Sequence, residues 1–144
     1  MDRTIVERKL EALRRCVARV QERRPSGVES LAADPDAQDV LVLNLSRAVQ
    51  VCVDIAAHLL VGSKQAVPGS MGETFTQLAA SGFIDEALAT RLRRAVGFRN
   101  IAVHNYEVMD WTIVHTLAGE PMQDFAQFAR LIGQALDREP GRPG

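Results

Sequence analysis

The chain has 144 residues, of which 47% are hydrophobic and 24% charged, with a formal net charge of −1. That length fits one domain, which can bury roughly two-thirds of its unfolded surface and needs no disulfide or metal to fold; the near-neutral charge argues neither for nor against a nucleic-acid partner. No uninterrupted apolar run is long enough to span a bilayer, and Met1-Asp2-Arg3-Thr4 leads into an amphipathic pattern without a signal-peptide core, so a cytoplasmic location away from any membrane is expected.

In chain order, Val6, Leu10, Leu13, Val17 and Val20 form one stripe of an amphipathic helix over about 3–24. Residues 1–24 carry eight Arg or Lys against four acids, and residues 25–82 two bases against six acids. The basic first helix suits RNA phosphates and equally suits a solvated face. Pro25-Ser26-Gly27 ends it, and 25–35 reads as a loop. Asp36, after Pro35, is the expected cap of a second helix that stops at Gly62. That helix has two adjacent stripes, Leu41, Leu45, Ala48, Cys52, Ile55, Leu59 and Val42, Val49, Val53, Ala56, Leu60. An apolar arc so wide implies burial on more than one side, with one face expected in the core and another against a second copy.

A short helix is expected over about 71–80, from Phe75, Leu78 and Ala79, closed by Gly82. Asp85 caps a fourth helix whose buried stripe is Leu88, Leu92, Ala95, Val96, Ala102 and Val103. Asp110 caps a last segment (Trp111, Val114, Leu117, Phe125, Phe128, Leu131, Ile132, Leu136), which Gly119-Glu120-Pro121 should kink or break because proline lacks a backbone donor. The domain is expected over 1–138, with 139–144 a disordered tail. Cys16 and Cys52 read as small buried hydrophobes. No histidines are spaced to complete a zinc site with them, and no cofactor or metal is expected.

Arg99 falls on the apolar stripe of the fourth helix, where a guanidinium must be paired or face a cavity. An ion pair, with Asp54 for instance, and an anion-binding cleft are both open. Asn100 and His104 are four apart and share a face, so the amide could fix the imidazole tautomer. Arg99, Val103 and Tyr106 share another line if the helix persists to 106. Arg99 and His104 are separated by about 140° around an ideal helix. They meet only if the helix loosens at its end or if two subunits bring their copies together. Arginine with histidine suits phosphodiester cleavage by the RNA's own 2′-hydroxyl: imidazole moves protons near neutral pH and guanidinium offsets charge growing on phosphorus. His58 and His115 are read as structural.

Arg99-Asn100-Ile101-Ala102-Val103-His104-Asn105-Tyr106 resembles the R-x4-H-x-Y motif of the HepT-type toxins of the HEPN superfamily. Arg99, His104 and Tyr106 match the three motif positions, and Asn100 the polar residue after the arginine. Glu73–Leu78, Ser81–Asp85 and Gly97–Asn100 are similar to that family's run from third into fourth helix; Val49-Gln50 and Asp54–His58 are similar to its second. The similarity covers most of 3–137, departing at the interrupted last helix.

The resemblance implies an all-α, HEPN-like antiparallel bundle of four to five helices, paired as a homodimer or a higher oligomer. It implies the toxin of a type II toxin–antitoxin module, a metal-independent endoribonuclease acting on RNA with Arg99 and His104 catalytic and Asn100 supporting. It implies an MntA-like nucleotidyltransferase antitoxin that transfers AMP from ATP to Tyr106. Two other functions stand beside it: a non-catalytic nucleotidyltransferase partner that binds nucleotide phosphate through Arg99 and Asn100, and a purely structural dimeric bundle.

Overall fold

A computed structural model describes residues 2–61 and 68–138, and the expected tail at 139–144 and the expected stop at Gly62 lie outside them. The described residues form helices α1 (Arg3–Arg23), α2 (Val28–Ala32), α3 (Pro35–Leu60), α4 (Met71–Ala80), α5 (Glu86–His104), α6 (Trp111–Leu117) and α7 (Met122–Asp137), with a 3₁₀ turn at Tyr106–Val108 and no strand. The bundle is built from the five longer helices, α1, α3, α4, α5 and α7. The short α2 and α6 are additional.

Local chemistry sets most boundaries. The Asp2 carboxylate accepts from the Thr4 and Ile5 amides and starts α1. The cap of α3 is Asp34, not Asp36: its side chain accepts from the Ala37 amide, Pro35 takes the first helical position, and Asp36 sits in the first turn. Proline needs no amide partner there, so the cap must precede it. Asp85 caps α5 through the Leu88 amide and Asp110 caps α6 through that of Thr112, as the sequence predicts. After α4, Phe83 N donates to Leu78 O at 3.2 Å and Gly82 N to Ala79 O at 3.0 Å, with Gly82 at φ 84°. This paired closure needs a left-handed residue, which glycine supplies without strain.

The region expected as a loop at 25–35 contains α2, whose Leu31 is fully buried. Five residues with one anchoring side chain carry no periodicity to read in advance. The expected break at Gly119-Glu120-Pro121 separates α6 from α7. Arg24, just past α1, closes over it: Nε donates to His115 O at 3.0 Å and Nη2 to His115 Nδ1 at 3.1 Å, while His115 Nε2 donates to Pro25 O at 2.8 Å. A Cβ on Gly119 would lie 2.8 Å from Arg24 Nη2, so the absent side chain makes room for the guanidinium.

One continuous core runs through the described residues. α3 is its axis, packed by α1, α2, α4, α5, α6 and α7. Both of its apolar stripes, including Val42, Val49, Val53, Ala56 and Leu60, are buried by this same chain. These two stripes therefore need no second copy to cover them: a central helix in a bundle is apolar over a wide arc. By length and composition α3 could also cross a membrane, yet more than half of its most apolar window is buried inside the fold, as a core helix requires. Phe75 meets Phe128 edge to face, centroids 6.3 Å apart, and joins α4 to α7. Cys16 and Cys52 are buried free thiols, both pushed above the ordinary thiol value chiefly by burial.

Candidate active site

The motif occupies the last turns of α5 and the 3₁₀ turn after it. Through Leu88, Ala89, Leu92, Val96 and Phe98 the helix is held in the core. Beyond Phe98 its residues are half-buried or exposed. Ala102 is half-buried, and Val103, expected in the buried stripe, is 52% exposed. Among the described residues Ala102 still packs against the core, while Ile101 and Val103 remain exposed. Val108 and Ile113 are exposed nearby in sequence, and Leu43 is exposed on α3. Scattered exposed apolar residues are ordinary; Ile101 and Val103 stand among the polar motif residues of α5.

Arg99 lies where the stripe leaves the core and is half-buried. It makes no hydrogen bond or ion pair among the described residues. Asp54, the partner considered from sequence, is instead engaged by Gln50 Nε2 at 2.9 Å and Lys9 Nζ at 3.6 Å. The ion pair with Asp54 is thus not realised, and a half-buried guanidinium remains available for an anion. His104 is the last residue of α5 and is exposed, as is Asn100. No hydrogen bond joins Asn100 to His104 among the described residues. The backbone does not loosen before His104: the Asn105 amide still donates to Ile101 O at 2.8 Å. Arg99 and His104 therefore keep the divergence of about 140° dictated by a straight helix.

The chain turns at Asn105 (φ −153°, ψ 52°), so the helix does not persist to 106 and Tyr106 leaves the line of Arg99 and Val103. Its ring meets Trp111 edge to face, centroids 6.2 Å apart, and its hydroxyl donates to Asp39 Oδ1 on α3 at 3.0 Å. The Tyr106 phenol is pushed above its usual value, first by partial burial, then by the Asp39 hydrogen bond and the charge of that carboxylate. Asp39 was invisible to sequence reasoning, because a contact across 67 positions leaves no local periodicity.

Asp39 also lines a groove of about 600 Å³ between α1 and α3, with an apolar floor that includes Val40, Leu43 and Val51 and a rim of Arg15, Arg19 and Arg47. Arg19 leans on Glu22 at 3.2 Å and Arg15 reaches Glu11 only at 3.9 Å. Arg47 has no ion pair among the described residues. The basic face expected on the first helix thus continues across α3. His58 accepts from the Asp2 amide at 3.0 Å and His115 sits in the Arg24 clasp, so both are occupied in fixing helix ends. No group of three or more His, Cys, Asp or Glu among the described residues could hold a metal ion.

A helical bundle with Arg, Asn, His and Tyr at the end of one helix matches the arrangement expected of a HEPN-type domain. The profile of the family described as Ribonuclease HepT-like matches residues 7–132, and the chain belongs to that family. It is 34% identical over 128 residues to the mRNA nuclease HepT of Shewanella oneidensis, spanning 89% of this chain and 96% of that protein. Among solved structures it is similar to the tri-AMPylated Shewanella oneidensis HEPN toxin in complex with MNT antitoxin (TM-score 0.85, 34% identity, 93% of this chain and 99% of that one). It is equally similar to a toxin–antitoxin complex with AMP-PNP (TM-score 0.85, 33% identity, 91% and 98%).

Proposed function

We propose that this protein is the toxin of a type II toxin–antitoxin module, an RNA endonuclease of cytoplasmic location whose site forms between two copies and is silenced by AMP transfer to Tyr106 from an MntA-like nucleotidyltransferase. The observation that carries the reading is the end of α5. Arg99, with no partner among the described residues, and an exposed His104 diverge on one helix, beside the exposed Ile101 and Val103. A two-fold axis through that surface buries Ile101 and Val103 against their copies and brings Arg99 of one protomer towards His104 of the other. Relatives named as an mRNA nuclease and as an AMPylated toxin bound to its antitoxin support the same reading.

In this cleft the chemistry is transesterification. The ribose 2′-oxygen attacks the adjacent phosphorus as His104 takes its proton, the bond from phosphorus to the 5′-oxygen breaks, and an imidazolium returns a proton to that leaving oxygen. Arg99 offsets the charge that builds on the phosphoryl oxygens. Asn100, on the face of His104, orients the imidazole once the cleft closes. The groove lined by Arg15, Arg19 and Arg47 carries neighbouring phosphates. AMP on Tyr106 would place a second anion in the path of the RNA and block it.

Mixing two inactive variants tests the shared site. Arg99→Ala and His104→Ala should each abolish cleavage, and co-refolded together they should recover about a quarter of the normal activity. Half the dimers are then mixed, and each mixed dimer carries one intact Arg99–His104 pair. No recovery would place both groups in one protomer. Full activity of His104→Ala alone would leave a nucleotide-binding module in place of an enzyme.

A further inference from the structure

Transfer of a nucleotidyl group to a phenol needs a base, because the phenolic oxygen attacks phosphorus only as its proton leaves. Tyr106 is poorly suited to ionise unaided. Partial burial and the nearby carboxylate hold its pKa above the ordinary value of about 10, so at neutral pH the phenolate is scarce. The hydroxyl is already directed at one acceptor, Asp39 Oδ1, at 3.0 Å. Asp39 stands in the exposed first turns of α3 and has no ion pair among the described residues. The geometry also leaves the phenol open: the Tyr106 ring is 38% exposed, and the groove beginning at Asp39 is rimmed by Arg15, Arg19 and Arg47, which can receive the phosphates of an incoming nucleotide.

We propose that Asp39 is the general base for nucleotidyl transfer to Tyr106, an inference that rests on the reading of Tyr106 as the AMP acceptor. The nucleoside triphosphate, with its magnesium ion, comes with the partner enzyme. The Tyr106 oxygen forms a bond to the α-phosphorus. The bond from that phosphorus to the α,β-bridging oxygen breaks, and pyrophosphate leaves with its electron pair. The electrons of the phenolic O–H bond stay on oxygen, and the proton passes to Asp39 and then to water. The same hydrogen bond fixes the ring against Trp111, so the nucleophile is oriented before the nucleotide arrives.

The test is a time course of AMP incorporation at Tyr106, read by mass spectrometry, with the full chain, saturating partner nucleotidyltransferase, ATP and magnesium. Tyr106 is the single tyrosine in the sequence, so the modified site is unambiguous. Asp39→Asn keeps the shape and a hydrogen-bond acceptor but cannot take a proton. It should slow transfer by about 100-fold at pH 7.5, the size of a lost general base. Its residual rate should climb about tenfold per pH unit towards the phenol's pKa, while the unaltered protein stays nearly flat from pH 7 to 9. Unchanged thermal melting and unchanged co-elution with the partner show that the variant is folded and bound. Transfer at the normal rate, or a slower rate with the same flat pH profile, would overturn the role of Asp39. Absence of AMP on the unaltered protein would remove the reading of Tyr106 and this inference with it.

Discussion

Arg99 and His104 differ in how much the fold depends on them. His104 is exposed at a helix end, so His104→Ala should change stability by no more than about 0.5 kcal/mol. It should nevertheless lower RNA cleavage by at least about 100-fold, measured on a fluorogenic oligonucleotide against a denaturation curve of the same sample. Arg99 is half-buried, and Arg99→Lys keeps a long aliphatic stem and the charge while losing the planar fork. Cleavage by that variant should stay well below normal with stability unchanged. Tyr106 gives a pH signature. Its folded pKa is raised, so the folded state holds the proton more tightly than the unfolded chain. The stabilisation is complete below the unfolded value of about 10 and is lost as pH rises through the higher folded value. Absorbance titration of the single tyrosine should show a midpoint above 10, and Asp39→Ala should move it down by removing both the acceptor and the charge. An unshifted midpoint in the unaltered protein would mean that the Asp39 contact is not kept in solution.

Among the elements, the caps and the break between α6 and α7 are the points where one side chain decides an architecture. Asp34→Ala should cost about 1 kcal/mol by freeing the Ala37 amide, whereas Asp36→Ala should cost only a few tenths through the helix dipole. Equal losses in a urea titration would contradict the placement of the cap. Gly119→Ala should displace the Arg24 guanidinium, because the new Cβ would stand 2.8 Å from Nη2. The cost should be about 0.5–1.5 kcal/mol, that of the hydrogen bonds to His115, since a flexible arginine gives way more easily than backbone. The break itself fits the interruption of this helix, for the clasp ties α6 back to the end of α1 while α7 turns to pack Phe125, Phe128 and Ile132 into the core.

For the whole molecule, the shared cleft proposed at the end of α5 ties assembly to activity. Val103→Asp should disperse the dimer to monomer in light scattering and remove RNA cleavage together, without lowering the melting temperature of the protomer, because Val103 is exposed in the single chain. Cleavage retained by a monomer would defeat the shared cleft. The groove between α1 and α3 predicts a separate behaviour. With Arg15, Arg19 and Arg47 all changed to Gln, RNA affinity of the His104→Ala background should fall and its salt dependence should flatten by about two to three units of slope. An unaltered salt slope would place the RNA elsewhere on the surface.

Much of this was legible because local chemistry writes itself into short windows. The four-three spacing of Val6, Leu10, Leu13, Val17 and Val20 specifies α1, Gly82 and Asp85 punctuate the passage from α4 to α5, and Pro121 stands where one helix has stopped and another begins. The motif residues were legible for the same reason, since they lie within eight positions. Tertiary structure alone decided that α3 spends both its stripes inside its own chain, because a wide apolar arc reads the same whether a sister helix or a second subunit covers it. It alone decided that Arg99 has no carboxylate partner among the described residues, that the helix ends before Tyr106, and that Asp39 meets its hydroxyl. Such contacts join residues far apart in the chain, and no periodicity within either segment encodes which of many exposed acids will stand opposite a given phenol.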